Sequence, residues 1–461
     1  MNRLANIYRF PLKKETLFIL FVTVLIMSYN TVLIEQYNLY VNYIAKLTII
    51  AFLFIFFKHR IISGNQVLIV FLYSMLLIYG LMIATFNGQF TLSLPLTMKY
   101  GLRIIAFIGI LMILNTKRYS DNIVKFPIWI GVILSLQSIA LFVMISSGNA
   151  PEPDYINIRG KMRSYGIWGF APSITWGYNN ILIPRVSSFF SEASNFTRFL
   201  EYPVIISFGY YKIYRGKINF LFMVICLLAF ILTFSMTGYL SMILAFIVFY
   251  MLKTRKNIAK ISILAFCILF IFSFHIYLKE TYIPNPHQRN FVQHMILSKY
   301  GDALRATTGI KGLYGGRVYS TIEAAKVFYH NSFGVGLLNN EDIEILKKNG
   351  EDAYTKIHLF GALLFWLIKT GFIGLITFIL IFFSILKNIK TFWFNRNDIR
   401  IYISIAFICI AIHHLIVGDW FDPMFLFVMA LILSYHGRGG YRTDFKNNDL
   451  PTSGRPTVIK R

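Results

Sequence analysis

Charge is scarce in this chain. Charged residues fill 14% of the 461 positions and hydrophobic residues fill 56%. That balance excludes a single soluble core, because so apolar a chain buries its surface in lipid and between helices. Cysteine is scarcer still. Cys226, Cys267 and Cys409 all lie in apolar stretches, which excludes a disulfide framework for the polar segments. C-x-x-C, H-E-x-x-H, Walker and G-x-G-x-x-G patterns are all missing, so no motif points to a metal centre, a redox pair or a nucleotide site. Acids number 20 against 45 Lys and Arg, for a net charge of +25. Such an excess can mark a nucleic-acid binder, but its distribution argues otherwise.

What the chain has in abundance is apolar runs. A helix crossing a bilayer needs about 20 mostly apolar residues. Twelve such runs lie near 17–34, 39–57, 66–86, 99–114, 126–146, 196–211, 218–234, 237–252, 261–278, 359–386, 401–417 and 424–435. The run at 196–211 carries Arg198 and Glu201, and the last is short. Alternate links, starting from the N-terminus, hold 26 of the 45 Lys and Arg. The short links on the opposite side, 35–38, 87–98, 235–237 and 418–423, hold none. This is the positive-inside asymmetry. It predicts cytoplasmic termini and an all-α integral membrane fold of about 12 helices. It also predicts two large outer loops, 147–195 and 279–357, containing short helices. The membrane domain is expected to span 1–437, followed by a basic cytoplasmic tail over 438–461, polar enough to be disordered. The first run follows Arg3, Arg9, Lys13 and Lys14 without a small-residue cleavage site, so it reads as a retained helix.

The first outer loop is rich in Gly and aromatic residues: Tyr155, Tyr165, Trp168, Phe170, Trp176 and Tyr178. Such side chains suit sugar faces, a membrane interface or a small core of the loop's own. Arg159, Lys161 and Arg163 surround Gly160 and suggest a hairpin. The loop leads through Arg185, Glu192, Asn195 and Arg198 into a helix that Ser194 or Asn195 would cap. Cations at an outward helix start reinforce an anion site, although Arg185 and Glu192 could simply pair. The second loop has ten Lys and Arg and eight Asp and Glu. Val318, Ile322, Ala325 and Tyr329 predict an amphipathic helix over 318–330, with Arg317 at its start. A turn from His330 through Gly334 and Gly336 should end it. His358 closes the loop at the outer end of the longest apolar run. Its side chain can exchange protons near neutrality, or it can be an ordinary interfacial histidine. Lys46, Lys99 and Lys369 near the runs read as side chains snorkelling to the interface, and Asp419 and Asp422 as capping or pairing acids.

Taken in order, these blocks resemble the O-antigen polymerase and O-antigen ligase superfamily. Residues 185–200 resemble its Arg-initiated segment before a span. Residues 317–336 resemble its block of an Arg, an amphipathic helix and Gly-Val-Gly. His358 with Leu359, Leu363, Gly371, Gly374 and Leu375 resembles its entry into a late span, and 233–238 resembles its Thr-x-Ser-Arg-Gly link. The resemblance covers most of 180–385. Met236 replaces an Arg of that link, Leu359 replaces an Asn after the histidine, and Asn331 replaces a Pro. These departures bear on polymerase versus ligase.

The resemblance implies a multi-span glycosyltransferase at the outer face of the bacterial inner membrane. Its donor would be a polyprenyl-diphosphate-linked glycan, with no metal and no cofactor. Holding a diphosphate and stabilising its growing charge suits guanidinium forks. Arg185 and Arg317 are the first candidates, with Arg198 and Arg103 as helpers. A base must take the acceptor's proton, and His358 comes before Glu192 for that role. A polymerase of repeat units for O-antigen or capsule is the leading reading, with a second lipid-linked glycan as acceptor. A chain-length regulator protein is a candidate partner, membrane lipids are expected ones, and nucleic acid is not. A ligase is the nearest alternative. A lipid-linked glycan flippase is more distant, since transporters usually show internal repeats or paired broken helices.

Overall fold

The computed structural model describes residues 62–115, 120–149, 186–253 apart from 189 and 191, 327–338, 361–392 and 398–436. It also describes strands between 154 and 185 and single helical positions at 262, 265, 269, 273, 276 and 325. The runs expected at 17–34 and 39–57 and the tail at 438–461 lie outside the described residues.

Nine helices follow one another among the described residues. They are α1 (Gly64–Phe86), α2 (Phe90–Leu114), α3 (Ser120–Ser146), α4 (Ala193–Tyr214), α5 (Lys217–Leu232), α6 (Met236–Lys253), α7 (Ala362–Phe392), α8 (Ile399–Ile416) and α9 (Pro423–His436). Each matches one of the apolar runs. Five are long and apolar enough to cross a membrane: α1, α2, α3, α7 and α8. The chain is therefore a mostly helical, multi-pass membrane protein. Ser262, Ala265, Leu269, Ser273 and Ile276 are helical and all exposed. Their spacing of three and four marks one outward face of the run at 261–278.

The helices divide into a lining and a centre. α8 is buried nearly all round, from Ile401 through His414, and so is α4 from Phe196 to Ser207. α8 packs against α4 and α6, and α9 packs against α2 and α8. The outer helices keep an apolar face open, as Phe71 and Ile78 on α1 and Phe383 on α7 show. Such a face belongs against lipid tails. Small residues let the backbones close up: a Cβ at Gly131 would lie 2.6 Å from the Pro203 ring, and one at Gly209 2.5 Å from the Tyr402 ring. At one end of the bundle, Gln66 donates to Asn115 Oδ1 at 3.1 Å and to the Leu433 carbonyl at 3.2 Å, tying α1, α2 and α9.

The segment expected as the first outer loop differs from expectation. Its described residues form strands, not short helices: β1 (Asp154–Ile158), β2 (Lys161–Gly166), β3 (Gly169–Phe170), β4 (Ser173–Tyr178) and β5 (Ile181–Arg185). β1, β2 and β3 form one antiparallel sheet, and β4 and β5 form another. Aromatic and β-branched residues between Gly, Asn and Pro turns favour the extended chain over the helix. The hairpin expected around Gly160 is present, with Ile158 opposite Lys161.

In the second loop, Ala325 and 327–330 are helical, in the stretch expected to form an amphipathic helix, and the turn follows. Gly334 and Gly336 have φ of 95° and 98°. This turn threads into a break in α7, where Gly371 leaves the helical conformation at φ 59°, ψ −151°. The break frees carbonyls that a continuous helix would use. Val335 N–H donates to Ile368 O and Gly336 N–H to Lys369 O, both at 2.9 Å. Phe372 N–H donates to Ser332 O at 3.1 Å, and Leu337 N–H reaches Gly80 O on α1 at 3.1 Å. Irregular backbone at membrane depth survives only when its polar groups are matched in this way.

Candidate functional site

One end of the bundle is organised by the link 186–192 and by the turn 417–422. Arg185 ends β5, and its Nε donates to the Thr233 carbonyl at 2.8 Å. Val186 N–H donates to Leu232 O at 3.3 Å. Thr233 and Thr197 join their hydroxyls at 2.8 Å. Ser188, in the left-handed region at φ 52°, donates to Gln137 Oε1 at 2.5 Å. The end of the first loop is thus stapled across α3, α4 and the α5–α6 link. Arg185 stands half-buried on top of that staple.

Glu192 is exposed and occupies the N-cap position of α4. The helix therefore starts before the Ser194 or Asn195 expected to cap it. Asn195 is used differently: its Oδ1 accepts from Arg198 Nη2 at 2.8 Å. Phe190 stacks on Phe196 and Phe199, both at 5.5 Å between centroids, which anchors the entry to the helix.

Arg103 and Arg198 are both buried at 6% exposure and both face the turn 417–422. Arg103 Nη1 meets Asp419 Oδ2 at 3.1 Å and donates to Phe421 O at 3.0 Å. Trp366 Nε1 approaches Asp419 Oδ1 at 3.4 Å, and Phe421 N–H donates to the same oxygen at 3.1 Å. Arg198 Nη2 lies 3.4 Å from Asp422 Oδ2. Asp422 Oδ1 caps α9 by accepting from Met424 N–H at 2.9 Å and Phe425 N–H at 3.4 Å. The two acids expected to cap or pair do both.

One turn along α4 from Arg198, Glu201 is fully buried. Its Oε1 is 2.6 Å from His413 Nδ1 and accepts from Ser241 Oγ, also at 2.6 Å. α4, α6 and α8 meet at this one carboxylate. Next to His413, the His414 ring accepts from Asp419 N–H through Nδ1 at 3.2 Å. A neutral ring accepting at Nδ1 carries its proton on Nε2. That nitrogen faces Asp422 Oδ1 at 3.7 Å, beyond hydrogen-bond length.

Arg103, Arg198 and Asp422 are all buried among the helices, and ionisable groups inside a membrane bundle mark a candidate functional site.

Of the expected site residues, Arg185, Glu192, Arg198 and Arg103 are placed, and Arg198 and Arg103 converge on one turn. Arg317 and His358 lie outside the described residues. Sequence reasoning overlooked the histidines. His413 and His414 sat inside an apolar run, and ionisable residues within a run are themselves a signal. Lys369 does not snorkel. It is buried, with Nζ 3.5 Å from the centroid of the Phe365 ring.

A family model described as O-antigen ligase matches residues 221–379. The match begins within α5, spans α6 and residues 279–357, and ends within α7. Comparison with curated proteins and with solved structures gave no match.

Proposed function

We propose, from the premise that this chain belongs to the O-antigen polymerase and ligase superfamily, that it is a membrane glycosyltransferase joining polyprenyl-diphosphate-linked repeat units into surface polysaccharide. The observation that carries this reading is the staple under Arg185. An arginine from the first loop is fixed by the Thr233 carbonyl, inside the segment that the family model matches. A guanidinium held by Nε over the outer helix ends is suited to a diphosphate approaching from the outer leaflet.

In the reaction, the acceptor hydroxyl oxygen attacks the anomeric carbon of the donor. The bond from that carbon to the diphosphate oxygen breaks, and the diphosphate leaves with the electron pair. Arg185 and Arg317 stabilise its charge, and the hydroxyl proton passes to His358, with Glu192 as the competing base. Removing one such cationic donor costs about 3–4 kcal/mol of transition-state stabilisation. The reaction as proposed uses no metal.

The basic links support a reading with the termini in the cytoplasm and the sites on the outer face of the inner membrane. In this reading the membrane domain runs over 1–437 and the basic tail over 438–461, with a chain-length regulator as a partner. The ligase reading is favoured by one observation, the description of the matched family itself. Chain-length analysis of surface glycan in a deletion strain separates the two. A single repeat unit left on the anchor is the result expected of a polymerase. Long chains accumulating on the carrier lipid would mean a ligase, and precursor trapped on the cytoplasmic leaflet would overturn both.

A further inference from the structure

Arg103 and Arg198 face the same turn, but their surroundings differ. Arg103 is engaged by the Asp419 carboxylate, by the Phe421 carbonyl and by the Tyr100 ring, 5.1 Å from its guanidinium carbon. Both contacts of Arg198 use one nitrogen, Nη2, which meets Asn195 Oδ1 and Asp422 Oδ2. Among the described residues, nothing accepts from its Nε or Nη1. Those two nitrogens form the edge of the guanidinium that matches two oxygens of a phosphate in a fork. Arg198 is 6% exposed overall, and its Nε–Nη1 edge is not fully enclosed, so a ligand can reach that edge.

Asp422 is itself held rigidly. The first amides of α9 fix Oδ1, while Oδ2 faces Arg198. One turn further along α4, the contacts of Glu201 with His413 and Ser241 stop that helix from rotating. The guanidinium is thus gripped at one end by a capped helix and carried at the other by a pinned one.

We propose that Asp422 is a positioning residue for Arg198. It holds the guanidinium by Nη2 so that the Nε–Nη1 edge takes two oxygens of the donor diphosphate. The proposal rests on the reading of a diphosphate-linked donor and adds to it. It makes Arg198 a direct ligand and gives Asp422 its orientation.

The test is binding of polyprenyl diphosphate to the full chain in detergent micelles. The variants are Asp422→Asn, Arg198→Ala and the double variant. Asparagine is the right replacement because it still caps α9, so the fold keeps its support. Asp422→Asn and Arg198→Ala should each weaken binding about ten- to a hundredfold, the range for hydrogen bonds to charged groups. In the double variant, Asp422→Asn should add nothing to Arg198→Ala, because a positioning residue has no effect once its client is gone. Arg198→Lys keeps the charge and the ion pair but loses the fork. It should bind nearly as weakly as Arg198→Ala, and it carries the test if the alanine variant does not fold. Multiplying effects in the double variant would reduce Asp422 to a structural cap and overturn the proposal. Wild-type binding by Arg198→Lys would also overturn it. Coupled binding in a chain whose deletion leaves surface glycan unchanged would sink the transferase reading and leave this site standing.

Discussion

Replacing His413 with leucine isolates the energetics of the buried centre. The substitution removes the partner 2.6 Å from Glu201 Oε1, and Glu201 has no exposure to water. Its other oxygen, Oε2, is buried without a hydrogen-bond partner among the described residues. The Ser241 hydroxyl then remains on the carboxylate, with the Cys409 thiol beside it. Removing the hydrogen-bonding partner of a buried carboxylate costs about 1–3 kcal/mol, and more when the stranded group is charged. His413→Leu should lose stability of that order. Replacing both partners, as Glu201→Met with His413→Leu, should recover most of it, because a buried pair exchanged for apolar groups of similar volume is often neutral or stabilising. Ser241 would not be stranded, since its hydroxyl also reaches the Gly238 carbonyl at 2.9 Å. The assay is equilibrium unfolding of the purified chain in mixed micelles with increasing SDS, read by far-UV circular dichroism. A loss below about 1 kcal/mol in the single variant would refute the reasoning, as would a double variant that falls further than the single one.

Gly336→Ala should destabilise the insertion of the second loop by about 1–3 kcal/mol. The new Cβ would lie 2.6 Å from Ala84 Cβ on α1, at a backbone φ of 98°; thermal unfolding and protease susceptibility at 332–338 report it, and unchanged protection would contradict the packing account. His358→Ala should slow transfer by about 10²–10⁴ while donor binding is kept; a wild-type rate in this variant beside a dead Glu192→Gln, measured in one purified assay, would reverse the two roles.

Much of the bundle was legible in the sequence, because a spanning helix has to be apolar along its whole length. The runs at 66–86, 218–234 and 237–252 end within two residues of α1, α5 and α6. α2 begins at Phe90, nine residues before its apolar run at 99–114. Its first turns carry Ser93 and Thr97, and the Thr97 hydroxyl donates to the Ser93 carbonyl at 3.0 Å. A hydroxyl satisfied by its own helix, as at Thr97, is cheap in a span, but it lowers hydropathy and helps to hide the start of the helix. The site was legible only as separate residues. Arg198 and Glu201 stood out as charges in an apolar run, but their partners come from about 200 positions later in the chain. Glu201 and His413 are 212 residues apart. No local spacing encodes a contact over that distance; only the packing of α4 against α8 creates it. The break in α7 was half visible. Gly371 was noted as a motif residue, while its role in accepting a loop depends on carbonyls that no sequence pattern marks.

The pairing of early helices with the last hairpin bears on biogenesis. Arg103, Arg198 and Glu201 lie on α2 and α4, and the side chains that pair with them, Asp419, Asp422 and His413, all belong to residues 413–422. A nascent chain that has delivered its first helices to the translocon therefore holds two cations and an acid in the bilayer with those partners still unsynthesised. The slot between α4, α6 and α2 has to stay wet, or be shielded by an insertase, until α8 and α9 arrive to close it. A chain truncated after α7 would keep most of its apolar surface and still read as unfinished, which makes the final hairpin a checkpoint for the whole bundle.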